Sequence, residues 1–167
     1  MSEERNKSVV TRFLRAVAAG DIDTVAECFG PETLCWTPAT PPFWGRPQTG
    51  EDYIHMCEAF YAQSEGHMEG SRLVIGPLVA DGEYVAVQME STVAMADGRT
   101  YNNQYHLFFA FKEGRIAVLK EYLDSLHLAD IMHGVLLGGE ELPDDQRHNH
   151  RLSNLWDLPE SEITVIK

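Results

Sequence analysis

Three dipeptides punctuate the middle of the chain at equal intervals: Asp81-Gly82, Asp97-Gly98 and Glu113-Gly114 stand sixteen residues apart. Acid–glycine pairs between alternating apolar runs are strong hairpin markers, because glycine takes the left-handed conformation that tight turns demand. The run before the second pair sets Val85, Val87, Met89, Ser91, Val93 and Met95 against Tyr84, Ala86, Gln88, Glu90, Thr92 and Ala94. The run before the third, "YNNQYHLFFAF" over 101–111, puts Tyr101, Asn103, Tyr105, Leu107, Phe109 and Phe111 on one side. The pattern predicts an antiparallel meander over residues 67–124 with one apolar face.

Register follows from keeping the apolar faces together. A two-residue turn at Asp97-Gly98 would pair odd residues with even ones, whereas a three-residue loop, Ala96 to Gly98, pairs odd with odd. Ser91 then lies beside Asn103. The same loop over Lys112, Glu113 and Gly114 predicts Tyr105 opposite Glu121, Leu107 opposite Leu119 and Asn103 opposite Leu123. One face thus carries Ser91, Asn103, Tyr105 and Glu121 as a polar island beside Met89 and other apolar side chains. An ionised carboxylate isolated on such a face is costly, so Glu121 must be neutralised, paired or solvated by a cavity. Asn103 admits two readings, a bond to a backbone carbonyl or a contact to a bound molecule. Asp124 is likewise either a helix cap or a site residue.

The segment up to about residue 66 has helical periodicity. Val9, Val10, Phe13, Leu14 and Val17 share one helix face, Gly20 ends that helix, and Asp21 caps the next. A third helix is expected near "GEDYIHMCEAFYAQ", after the proline-broken "WTPATPPFWGRPQTG", and a short fourth over "SLHLADIM". Trp36, Phe43 and Trp44 flank the proline-rich loop as possible walls for a flat ligand. Residues 138–167 are acidic and lack periodicity, but "LSNLWDL" and "ITVI" are apolar anchors. They predict an extension packed on the body or on a partner subunit, with Trp156 buried.

Charge and composition exclude several classes. A formal charge of −13 disfavours nucleic acid and anionic membranes, whose recognition relies on Lys and Arg. No apolar run reaches the length of a membrane span. "MSEERNKSVV" has no apolar signal-peptide core, and Cys28, Cys35 and Cys57 form no C-x-x-C pair, so a reducing cytoplasm is expected. His148 and His150 have no adjacent ligand set, and no glycine-rich phosphate loop, G-x-S-x-G or H-E-x-x-H occurs, so neither metal nor cofactor is expected. The other sheet face (Tyr84, Ala86, Gln88, Thr92, Gln104, His106, Phe108, Val118 and Tyr122, with Glu90 and Lys120) is too apolar for full solvation and predicts a homodimer.

"NKSVVTRFLRAVAAGDIDTVAECF", "CWTPATPPFWG" and "NNQYHLFFAFKEGRI" followed by "KEYLDSLHL" resemble the SnoaL-like, ketosteroid-isomerase-like group of the nuclear transport factor 2-like superfamily. The resemblance covers residues 5–135 and implies an α+β cone, a curved antiparallel sheet wrapped around helices, with a central pocket. It divides the chain into a SnoaL-like domain, 1–137, and the extension 138–167. It also implies that Leu119, Glu121 and Leu123 lie on the pocket face, with Trp36, Thr37, Trp44, Tyr53, Met89, Ser91 and Leu107 as binding candidates. The oxyanion tyrosine, general-base aspartate and second oxyanion acid of ketosteroid isomerase fall at Phe13, Thr37 and Leu107, where those groups are missing. A carboxylate in epoxide-hydrolase relatives resembles that of "KEYLD", although their arginine–aspartate pair has no match.

Two functions follow. One is a cofactor-independent acid–base enzyme of lyase or isomerase type, other than a steroid isomerase, acting by dehydration or retro-aldol cleavage on a small apolar or aromatic molecule. There Glu121 moves the proton while Tyr105 and Asn103 hold a substrate oxygen. The alternative is a non-catalytic ligand-binding or dimerisation module of the same fold.

Overall fold

The structure, a computed structural model, describes residues 2–39, 46–64, 72–133 and 160–166. Helix α1 (Glu3–Ala19) buries Val10, Phe13 and Leu14 and stops at Gly20, whose φ of 66° only glycine adopts without strain. The Asp21 carboxylate accepts from the Thr24 amide and starts α2 (Ile22–Cys28). Helix α3 (Gly50–Tyr61) opens on a reciprocal capping box between Thr49 and Asp52. Helix α4 (Ser125–His133) begins after Asp124, whose Oδ1 accepts from the amides of Leu126 and His127. Asp124 is a helix cap.

These helices lie against a curved, unclosed, largely antiparallel sheet, an α+β arrangement. Strand β1 (Phe29–Trp36) follows α2 directly; β2 is Gln48–Thr49, β3 Arg72–Ile75, β4 Val79–Asp81, β5 Tyr84–Ala94, β6 Thr100–Lys112, β7 Arg115–Leu123 and β8 Thr164–Ile166. The order across the sheet is β2-β1-β7-β6-β5-β3-β8, with β4 also on β5. Helix was expected up to residue 66 without a strand, so β1 corrects the sequence reading. Its alternation is short and begins on Gly30-Pro31, and its partner β7 lies more than eighty residues on, paired in parallel with Trp36 beside Lys120. The end of the chain is a strand on β3, with Val165 beside Val74. Trp156 and most of the extension lie outside the described residues. No helix among those described is long and apolar enough to cross a membrane.

The first long hairpin has the expected register. Met95 and Arg99 close a three-residue loop, Gly98 has φ 86°, and Ser91 pairs with Asn103. The second differs. Lys112 pairs with Arg115 directly across Glu113-Gly114, both left-handed at φ 55° and 81°, which is a two-residue type I′ turn. Such a turn alone would set odd against even. Between the pairs Ala110–Val118 and Phe111–Ile116, Ala117 is an extra residue that restores the parity. Glu121 therefore faces Leu107 rather than Tyr105, Tyr105 faces Leu123 and Phe109 faces Leu119. The carboxylate keeps the inward face but sits one row deeper.

On the outer face, Tyr84 stacks on Phe108 at 5.6 Å, and Lys120 Nζ lies over the rings of Trp36 and Phe108. Tyr122 meets both Trp36 and His106. Glu90, also on this side, is buried and bonded through Oε1 to Asn102.

Glu113 is the one described non-glycine residue with positive φ. Glu113→Asn, which suits the first position of a type I′ turn, should stabilise the protein by about 0.5–1 kcal/mol. Urea unfolding measures this; an unchanged or lower midpoint would show that the left-handed backbone at Glu113 carries no such cost.

Candidate active site

The sheet curvature and α1, α3 and α4 enclose a cavity of about 90 Å³. At about 30 Å³ of liquid volume per water it has room for roughly three waters. Phe13, Leu14, Met56, Phe60, Leu128 and Met132 form its helical walls, and Met89, Leu107 and Leu123 its sheet wall. Helix α4 is fastened over the cavity at both ends. Asn103 holds its start, and Arg99 donates to the carbonyls of Asp130 and Ile131 near its last turn.

Glu121 is buried at the cavity wall. Its Oε1 accepts a 2.8 Å hydrogen bond from the Tyr53 hydroxyl, and its Oε2 a 3.3 Å bond from Thr37 Oγ1. No ion pair among the described residues involves it. Tyr53 comes from α3 and Thr37 from the end of β1, so three distant segments meet on one carboxylate. Burial raises the Glu121 pKa, and the two hydroxyl bonds pull it down without cancelling that effect. Burial also raises Tyr53 well above its usual value, with the Glu121 charge adding to it, so this phenol stays a donor. Cys57, beside Tyr53 and Tyr61, is pushed up to about 12 by burial and the same charge, and is a neutral thiol at the wall.

At the other polar corner, the hydroxyls of Tyr101 and Tyr105 share a short hydrogen bond near Ser91. Phe60 meets Tyr101 edge-on at 5.1 Å, and the His127 ring stacks on it at 5.4 Å. Between these tyrosines lies Asn103, with no exposed surface. Its Nδ2 donates to the Asp124 carbonyl at 2.9 Å and its Oδ1 accepts from the Asp124 amide at 3.0 Å. The amide thus takes both backbone groups at the start of α4, and the structure places it behind the wall.

Of the residues singled out in the sequence, Glu121, Tyr105, Thr37, Tyr53, Met89, Ser91, Leu107 and Leu123 line the cavity. Leu119 is fully buried in the core below it, and Trp36 packs outside against Tyr122. Trp44 lies outside the described residues. Sequence reasoning missed Tyr101 and the contacts of Tyr53 and Thr37 with Glu121. Tyr101 carried a signal, since it stands on the same face four residues before Tyr105; the other two contacts cross elements and had none. Among the described residues no cluster of His, Cys, Asp and Glu could hold a metal ion.

This curved sheet around a helix-lined pocket is the cone of the nuclear transport factor 2-like fold. The SnoaL-like domain family matches residues 10–119, and the chain belongs to that family. Among solved structures, PrhC from Penicillium brasilianum is 18% identical, covering 78% of this chain and 87% of its own, with a TM-score of 0.66. A candidate SnoaL-like polyketide cyclase from Jannaschia sp. CCS1 is 16% identical over 80% of this chain and 95% of its own, at a TM-score of 0.64. An LEH-like epoxide hydrolase from M. tuberculosis is 17% identical over 78% of this chain and 90% of its own, at 0.59. No curated protein matches the sequence. At these identities the neighbours establish the fold.

The raised Glu121 pKa makes stability depend on pH. The folded state holds this proton more tightly than the unfolded chain, so the contribution is fullest at low pH. It is lost as pH rises from about 4 through the folded-state pKa. Glu121→Gln removes that dependence, so the variant should gain in melting temperature relative to wild type between pH 4 and pH 8. A difference that stays flat across this range would contradict the burial of an ionisable group here.

Proposed function

We propose that this chain is a cofactor-independent acid–base enzyme of lyase or isomerase type, acting on a small, largely apolar or aromatic molecule. The observation that carries the reading is Glu121, a buried carboxyl with no cation partner among the described residues, held by two hydroxyls at the wall of a largely apolar cavity. A carboxylate with a raised pKa is a stronger base than one in water, and its protonated form is available as an acid closer to neutrality. Tyr53 and Thr37 fix its orientation. In a dehydration, the carboxylate takes the α-proton of a β-hydroxy carbonyl compound and the C–H electron pair moves onto the carbonyl oxygen. The enolate then expels the β-hydroxyl, which leaves as water with the proton returned from Glu121. Taking the hydroxyl proton instead sets up retro-aldol cleavage of the carbon–carbon bond.

Steroid isomerisation by the ketosteroid isomerase arrangement does not fit. Phe13, Thr37 and Leu107 all line the cavity here, and none supplies a carboxyl or a phenol. The neighbours described as a candidate polyketide cyclase and an epoxide hydrolase support acid–base chemistry in a cone of this kind. We also propose that the aromatic outer face, where Tyr84 and Tyr122 are 53% and 44% exposed, pairs two copies of the chain into a homodimer, with 138–167 as the extension of a domain spanning 1–137.

Glu121→Gln tests the main reading. It should lower turnover of a β-hydroxy ketone by about 100-fold or more, while ligand affinity changes less than threefold. Turnover that survives the substitution refutes the role of Glu121; binding with no turnover by wild type, across a panel of hydroxy ketones, favours a binding module. Light scattering at micromolar concentration should give twice the monomer mass of 18.8 kDa, and a monomer there refutes the pairing.

A further inference from the structure

We propose that the cavity binds an organic ammonium ion, with Glu121 as its counter-ion and the surrounding aromatic rings as a cage for its charge. The substrate is then a compact amine whose other groups are apolar, and the group that leaves in the reaction is nitrogen rather than oxygen. This inference rests on the acid–base reading of Glu121 and names the substrate class for that site.

The cavity wall offers one sign of charge. Among the described residues that line it, Glu121 is the single carboxyl, and none is Lys, Arg or His. Burial keeps Cys57 and the lining phenols protonated, so none of them becomes a second anion near neutral pH. The hydroxyl protons are engaged within the protein. Thr37 and Tyr53 donate to Glu121, Tyr61 donates to the Val17 carbonyl, and Tyr101 and Tyr105 bond each other. An ionised carboxyl balanced only by neutral hydroxyls is costly to bury. A ligand that brings a positive charge offsets that cost through a charge-assisted hydrogen bond. A neutral ligand leaves the cost in place, and an anionic one adds repulsion. The formal charge of −13 acts in the same direction, since a negative field gathers cations and repels anions.

The rest of the lining suits the same ligand. Phe13, Tyr53, Phe60, Tyr61, Tyr101 and Tyr105 all reach the cavity. Phe60 stands at 74° to Tyr61 and at 69° to Tyr101, and Phe13 is tilted 36° from Tyr53. Rings at such angles form separate walls rather than one stack. A ring face carries partial negative charge and attracts an ammonium group within about 6 Å of its centroid. Met56, Met89 and Met132 add polarisable sulfur, and their unbranched chains let the cavity adapt to its occupant.

An ammonium substrate also fits a site with one carboxyl. In a dehydration Glu121 must both take the α-proton and return it to the hydroxyl before water can leave. In a β-ammonio ketone the leaving group arrives already protonated. The carboxylate takes the α-proton, and the C–H electron pair forms the enolate. The carbonyl then re-forms, a carbon–carbon double bond replaces the enolate, and the C–N pair departs on nitrogen as a neutral amine. The proton on Glu121 passes to that amine, which leaves as ammonium and restores the carboxylate. Nitrogen and the α-hydrogen are three bonds apart, so a carboxylate paired with one is within reach of the other.

Isopropylammonium and 2-propanol, alike in shape and different in charge, test the proposal without turnover. Titration of the full chain at pH 7.5, followed by amide chemical shifts, should show wild type binding the ammonium about tenfold or more tightly than the alcohol. Glu121→Gln should abolish that preference while 2-propanol affinity stays within threefold. Phe60→Leu keeps the carboxylate and should weaken ammonium binding about two- to fivefold, the size of one cation–π contact, and it carries the test if Glu121→Gln does not fold. Equal affinities in wild type overturn the ligand class, as does absence of saturable ammonium binding. A preference that survives Glu121→Gln places the cation on the acidic surface and overturns the site, and unchanged affinity in Phe60→Leu overturns the cage. Failure of the acid–base reading registers separately, as turnover that survives Glu121→Gln.

Discussion

The carboxyl of Glu121 sits inside an apolar cone with two hydroxyls and no described cation for company. Most of the surrounding architecture serves to make that arrangement tolerable. An unpaired charge taken from water is among the most expensive things a fold can bury. Tyr53 must therefore arrive at the right depth, and α3 is placed to deliver it. The capping box at Thr49 fixes where the helix begins, and the rings of Phe13 and Phe29 pack against Tyr53 at 6.3 and 5.7 Å. Thr37 reaches the other oxygen because β1 runs parallel beside β7, with Trp36 next to Lys120. The result is a carboxyl whose proton affinity is raised rather than one locked as a permanent anion.

One extra residue determines what this carboxyl faces. Ala117 at the bulge of β7 shifts the strand relative to β6, so Glu121 stands beside Leu107 while Tyr105 keeps Leu123 as its neighbour. Without the bulge, the type I′ turn would turn the carboxylate to the outer face. With it, the two polar corners of the cavity are separated by a row of leucines. Separation matters chemically. A base and an oxygen donor in direct contact satisfy each other, whereas a base and a donor held apart leave room for a substrate that bridges them.

Membership of the SnoaL-like family places the pocket but not the chemistry, since one cone serves many activities and some binding roles. Here the site argues from its own residues. Phe13, Thr37 and Leu107 line the cavity without a carboxyl or a phenol, and its carboxyl and phenols come from β7, α3 and β6.

The sequence by itself determined the local grammar of the fold. Glycines at the turns, Asp21 as a cap, and two-residue alternation along β5 and β6 all act through neighbours a few positions away, so they are legible without a structure. The inward face carrying Ser91, Asn103, Tyr105 and Glu121 was legible for the same reason. The bulge was not, because its position is set by how β7 packs between β6 and β1 rather than by turn residues alone. Strand β1 was hidden by its short, glycine- and proline-bearing start and by a partner far along the chain. Asn103 shows the division most clearly. Pattern established that a buried amide lay between two tyrosines. Only the tertiary structure decided that its partners are the backbone amide and carbonyl of Asp124, because hydrogen bonds that cross elements depend on where α4 lands over the sheet.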